Sequence, residues 1–190
     1  MVKPNRAPGT KGSRAKLRIR DMTVDDIPKV FHLGESLYSA SKLPFLYRTW
    51  DPYEVAYLFS SETDLSIVAE IDNTIVGFCL STTVEKPNKP WRYGYLIWLG
   101  VSTETQSRGI GKRLLNETSR RMKQKKVKFM LIDTEEGNVA AVKFFEKMGY
   151  EIRHRQVWMW RNFAKAKITE KTLKSSVEEV ALRRHVRKAK

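Results

Sequence analysis

The chain is short of cysteine, of long apolar runs and, at both ends, of acid. One cysteine among 190 residues, Cys79, excludes an internal disulfide and a cysteine cluster for metal. Set in an apolar run, it reads as a small buried hydrophobe rather than a nucleophile. No apolar stretch approaches the roughly 20 residues needed to span a bilayer, so no membrane insertion is expected. Lys3, Arg6, Lys11 and Arg14 lack the apolar segment that would follow them in a secretory signal, and a cytoplasmic location follows by default. Residues 1–16 hold five Lys/Arg and no acid, a charge of +5. Residues 163–190 hold nine basic and three acidic residues, or +6, which leaves +4 for 17–162 (22 basic against 18 acidic). The basicity therefore belongs to the two ends. That argues against a nucleic-acid-binding core and for tails that attach to an acidic partner or to nucleic acid.

What is present suits one domain at 17–162, large enough to bury a core. Residues 1–16 read as a basic disordered arm, and 163–190 as a basic tail in which Leu173, Val177 and Val180 are spaced for a short amphipathic helix. Leu17–Arg20 alternates as a first strand. Thr23 with Asp26 resembles a capping box opening a helix through Ile27, Val30, Phe31 and Gly34. Tyr38 to Trp50 is irregular and aromatic. Asp51-Pro52 is an N-cap and first-turn proline for a second helix to about Phe59. Two strands, Leu65–Ile71 and Thr74–Leu80, are joined by a tight turn at Asp72-Asn73. A loop over Pro87–Pro90 leads to a strand at Tyr93–Val101, where Gly100 suggests a bulge or a close backbone approach. A helix from Gly109 to about Lys125, a strand at Val127–Asp133, a helix at Asn138–Met148 stopped by Gly149 and a strand at Tyr150–Trp160 complete the order. This predicts an α/β fold with a mixed central sheet of six to seven strands and about four flanking helices.

The stretch Leu96–Leu115 organises the rest. It reads as an apolar strand, a polar turn, two glycines at 109 and 111, then a helix with apolar residues at Ile110, Leu114, Leu115 and Met122. A glycine turn opening a helix aims unpaired N–H groups and the positive end of the dipole at one spot, which suits phosphate. Arg108 and Lys112 flank it. A P-loop is excluded because Gln106 stands where its first glycine belongs and Arg113 where its Ser/Thr belongs. A dinucleotide fingerprint is excluded because Leu114 holds the place of its third glycine. A helix start that uses glycine only to turn is the plainer alternative.

Gln106-Ser-Arg-Gly-Ile-Gly111 after an apolar strand, with Asn138-Val-Ala-Ala-Val-Lys-Phe-Phe-Glu-Lys-Met-Gly-Tyr150 about 30 residues on, resembles motifs A and B of the GNAT family of N-acetyltransferases. The resemblance spans roughly 17–160, and the tails lie outside it. It implies a GNAT-like sheet with the fourth and fifth strands splayed, acetyl-coenzyme A as cosubstrate, and direct transfer to a primary amine. It puts pyrophosphate on the N–H groups of Arg108, Gly109, Ile110, Gly111 and Lys112 beside Gln106, and the pantetheine arm along Leu99, Gly100 and Val101. The N–H of Val101 would polarise the thioester carbonyl. Asn138 would contact pantetheine, and as an N-cap it can do both. Asp133 is the leading candidate base, against a strand-end capping role; Glu104 and Glu35 are weaker candidates. Phe145 lies on the cofactor wall where many members carry a proton-donating tyrosine, which leaves the leaving thiolate to water or to another residue such as Tyr93 or Tyr95. Alternation puts Tyr93 and Tyr95 on the face of Ile97, Leu99 and Val101. The acceptor is expected to be a protein lysine or N-terminal amine, with a small-molecule amine or a ribosome-associated binding role as alternatives. A homodimer is compatible, and no metal is called for.

Overall fold

The structure, a computed structural model, describes residues 16–38, 49–85, 92–106, 108–159 and 161. The expected arm at 1–15, most of the aromatic stretch between Tyr38 and Trp50, the Pro87–Pro90 loop and the tail at 163–190 lie outside the described residues. Two units are distinguished, one running to Tyr150 and one beginning at Glu151.

Five strands form one sheet in the order β1-β2-β3-β4-β5. They are β1 (Leu17–Asp21), β2 (Ser66–Ile71), β3 (Thr74–Glu85), β4 (Arg92–Val101) and β5 (Met130–Ile132), with helices α1 (Ile27–Leu37), α2 (Pro52–Ser61), α3 (Ile110–Gln124) and α4 (Val139–Lys147). Four helices match the expectation; the six to seven strands become five among the described residues. The strand expected at 150–160 is absent over 151–159, where all nine positions are exposed. A strand in a packed sheet needs one covered face, and this run offers none. The strand expected at 127–133 shrinks to three residues. Val127 N–H still bonds back to Met122 O at 3.1 Å, after Lys126 has taken a positive φ of 59°. The chain therefore spends those residues on ending α3.

Local chemistry explains most boundaries. Asp72 and Asn73 both take positive φ, 48° and 63°, as a two-residue hairpin turn between right-twisted strands requires. Asp51 accepts from Glu54 N–H at 2.9 Å to start α2, with Pro52 as its first residue. Asp26 accepts from both the N–H and the hydroxyl of Thr23 at 2.9 Å. The nearly buried Asp26 also pairs with Arg20 at 2.5 Å, and Arg20 reaches Glu70 at 2.7 Å. One guanidinium thereby joins β1, β2 and the turn that opens α1.

Each face of the sheet carries its own core. Phe78, Leu80 and Trp98 pack with Val30 and Val55 under α1 and α2. Cys79, Leu96, Leu114 and Leu115 pack under α3. Cys79 is fully buried; desolvation pushes its thiol up to about 12 while the Thr118 hydroxyl donates to its sulfur. This is an inert packing thiol. Among the described residues no helix is long and apolar enough to cross a membrane.

Removing Arg20 tests the corner where those elements meet. Arg20→Ala strands a buried carboxylate and is expected to cost about 3–5 kcal/mol in urea unfolding at neutral pH. The Arg20 hydrogen bond holds the Asp26 carboxyl at about 2, below its ordinary 3.8. The stabilisation is therefore full above about pH 4 and is lost as pH falls through about 2, and this acid dependence is expected to disappear in Asp26→Asn.

Candidate functional site

β4 pairs with β3 from Glu85–Arg92 to Gly77–Val101, but with β5 over only Gly94–Met130, Tyr95–Leu131 and Leu96–Ile132. Beyond Leu96 the fifth strand has ended while β4 runs on to Val101. A wedge opens there, bounded by one strand edge. Which backbone groups face it follows from one bond. Ser102 N–H is spent on Val76 O of β3 at 2.8 Å. Since N–H groups alternate sides along a strand, those of Val101 and Leu99 turn toward the wedge.

Gly100 makes the close approach rather than the bulge. A methyl on it would stand 2.7 Å from the Phe78 ring and 2.9 Å from Leu37. The bulge falls at Ile97, because β3 pairs Leu80 with Trp98 and Ser81 with Leu96, leaving Ile97 as an extra residue. One extra residue inverts every later side chain. Ile97 and Trp98 both lie with the α1–α2 core, whereas Leu96, Leu99 and Val101 belong to the α3 core. The expectation that Tyr93 and Tyr95 share a face with Leu99 and Val101 is thus corrected. Tyr95 pairs across from Thr82, and the slip puts its side chain opposite to theirs.

The glycine turn has the shape its sequence suggested. Gly109 takes φ 73°, ψ 14° immediately before α3, with open space around it. Ile110 is buried and anchors the helix start, while Arg108 and Lys112 are exposed. Arg113 N–H to Gly109 O, at 3.1 Å, is the first bond of the helix; the N–H groups of Ile110, Gly111 and Lys112 come too early in it to have an intrahelical acceptor. A methyl on Gly111 would meet Phe144 at 3.5 Å and Val101 at 3.7 Å, ordinary contacts that place the turn beside the end of β4 and α4. Gln106 is exposed in the turn before it.

Asn138 caps α4, its Oδ1 accepting from Ala141 N–H at 3.2 Å. Phe145 is half-buried, edge-on to Phe144 and Tyr150 at 5.1 and 5.7 Å between centroids. Asp133 follows the last residue of β5 and accepts a hydrogen bond from the Tyr95 hydroxyl at 2.5 Å. Desolvation raises its carboxyl above the usual 3.8, against a backbone hydrogen bond that lowers it. The sequence suggested each of these two residues but not their pairing, which needed the β4–β5 register. Tyr93 instead stacks on Phe129. Glu35 is exposed beside His32 on α1, and Glu104 is exposed in the turn after β4.

A model of the acetyltransferase (GNAT) family matches residues 34–150. No curated protein matches in sequence. Solved structures match well in shape. An aminoglycoside acetyltransferase, meta-AAC0020, from an uncultured soil metagenomic sample is 20% identical with a TM-score of 0.61, covering 77% of this chain and 96% of its own. Aminoglycoside N-acetyltransferase AAC(6')-Iy in complex with CoA is 19% identical at 0.62, covering 80% and 99%. A ribosomal-protein-alanine N-acetyltransferase from Brucella melitensis biovar Abortus 2308 is 16% identical at 0.60, covering 77% and 100%. At these identities the likeness is one of fold.

The two glycines are expected to separate in unfolding experiments. Gly109→Ala, forced into left-handed backbone, costs about 1–2 kcal/mol. Gly111→Ala, with room for its methyl, costs nothing or stabilises slightly.

Proposed function

The chain belongs to the acetyltransferase (GNAT) family, an acetyl-coenzyme-A-dependent N-acetyltransferase, and from that premise we propose how its residues divide the work and which amine it serves. The observation that carries the reading is the wedge. Leu99 and Val101 turn N–H groups to a strand edge that has no pairing strand among the described residues and ends beside the start of α3. A pantetheine arm carries amides that can complete such an edge, as an added strand does. Its pyrophosphate then meets the N–H groups of Arg108 to Lys112 and the positive end of the α3 dipole, with Gln106 alongside. The Val101 N–H stabilises charge developing on the thioester oxygen. Asn138 and Phe145 form the opposite wall.

Asp133 is the base. A carboxylate with a raised pKa is better matched to taking a proton from an amine, and this one stands where the strands part. The acceptor we propose is a protein lysine or N-terminal amine. The charges of +5 and +6 at the ends favour tails that hold an acidic macromolecule while its amine enters the wedge. Proteins of this fold act on both kinds of acceptor, since aminoglycoside and ribosomal-protein acetyltransferases are among the structures it resembles.

Saturating acetyl-coenzyme A is expected to raise the melting temperature by roughly 5–10 °C, and no rise would sink the reading. Gly111→Ala, folded but with a methyl at the phosphate turn, is expected to lose most of that rise. A panel of peptides with free N-terminal or lysine amines, together with an aminoglycoside, identifies the acceptor by mass spectrometry. Asp133→Ala is expected to lower kcat by about 10²–10⁴-fold on whichever is acetylated.

A further inference from the structure

Making an amide from a thioester moves one proton, from the amine nitrogen to the departing sulfur. A base and an acid joined by a hydrogen bond can carry it within the site. Phe145 has no hydroxyl to give, and its ring is committed to Phe144 and Tyr150. The other phenols near the sheet can be taken in turn. Tyr150 packs into the α3-side core, its ring edge-on to Phe145. The Tyr38 hydroxyl is buried with no hydrogen-bond partner among the described residues, its ring 4.7 Å from that of Trp98. Tyr93 stacks flat on Phe129. Tyr95 differs from all three, because its hydroxyl donates to Oδ1 of Asp133 at 2.5 Å.

The position of this pair is as telling as its bond. Leu96–Ile132 is the last rung joining β4 to β5; Tyr95 comes one residue before it on β4 and Asp133 one residue after it on β5. The pair therefore sits at the apex of the wedge. Because of the extra residue Ile97, Tyr95 lies on the face away from Leu99, Val101 and α3. It therefore stands on the side of the sheet opposite the glycine turn.

We infer that Tyr95 and Asp133 form a proton relay in which Tyr95 protonates the leaving thiolate. This inference rests on the acetyl-transfer reading above. The amine lone pair forms the C–N bond at the thioester carbonyl, and the C–S bond breaks with its electrons on sulfur. Asp133 takes the proton from nitrogen. The Tyr95 proton passes to sulfur, directly or through one water, and the proton on Asp133 returns along the hydrogen bond to the phenolate. The products are the amide and the free thiol, both side chains end as they began, and no further reactant is needed.

The test uses the full chain, acetyl-coenzyme A and the acceptor found in the panel. Tyr95→Phe keeps the ring and is expected to lower kcat roughly 10²-fold, with KM for acetyl-coenzyme A unchanged. A preserved melting rise with acetyl-coenzyme A shows that this variant is folded and loaded. Adding Phe145→Tyr restores a hydroxyl on α4, and recovery of about tenfold or more in kcat is expected if the missing function is proton donation. A Tyr95→Phe kcat within about twofold of the wild type overturns the relay on the same scale. So does a loss that Phe145→Tyr leaves untouched, which would make Tyr95 only a positioning residue for Asp133. Failure of the underlying reading looks different: the wild-type chain would then acetylate nothing in the panel.

Discussion

β4 is hydrogen-bonded along its whole length on one edge and over only three residues on the other. The rest of the structure depends on that asymmetry. A strand that loses its neighbour leaves backbone donors and acceptors needing partners, and proteins ordinarily blunt such edges with charge, proline or a covering element. Here the edge ends at the start of a helix whose first N–H groups also lack intrahelical acceptors. Two sets of unsatisfied donors meet at one place. The α3 core, with Ile110 and Leu114 buried, anchors the helix start beside the end of β4.

The sheet also separates two kinds of chemistry. On the α3 side lie the dipole, Arg108 and Lys112, all favouring negative charge. At the apex of the wedge lies a carboxylate whose partial desolvation works the other way, raising its pKa above the ordinary aspartate value. Placed side by side, the cations would pull the carboxyl pKa down. The strand between them, with its own side chains divided between two cores, has the cations to one side and the carboxylate to the other.

Much of this was legible in the sequence because it rested on short-range chemistry. The Asp72-Asn73 turn, the Thr23 and Asp51 helix starts and the buried stripe of α3 depend on residues within a few positions of one another. The glycine turn and the Asn138 cap were found for the same reason, and their spacing pointed to the family. What was missed depends on pairing between distant segments. Ile97 belongs to an unbroken apolar run, Leu96-Ile-Trp-Leu, with no polar residue to mark where alternation slips; only the partner residues on β3 disclose the extra position. The link between Tyr95 and Asp133 spans 38 residues and required that register. The sixth strand failed for the opposite reason: residues 151–159 include strand-forming Ile152, Val157 and Trp158, but strand propensity is realised only against a covering face.

The bulge at Ile97 makes the two halves of β4 opposite in parity. Up to Leu96, odd-numbered side chains point to the α1–α2 side; from Trp98 onward, even-numbered ones do. Deleting Ile97 would remove the extra residue and leave a regular strand with every remaining side chain on its present face. A one-residue deletion anywhere else in β4 would turn a run of its side chains to the wrong face. The irregularity is thus the one place where this strand can lose a residue without exchanging its two cores.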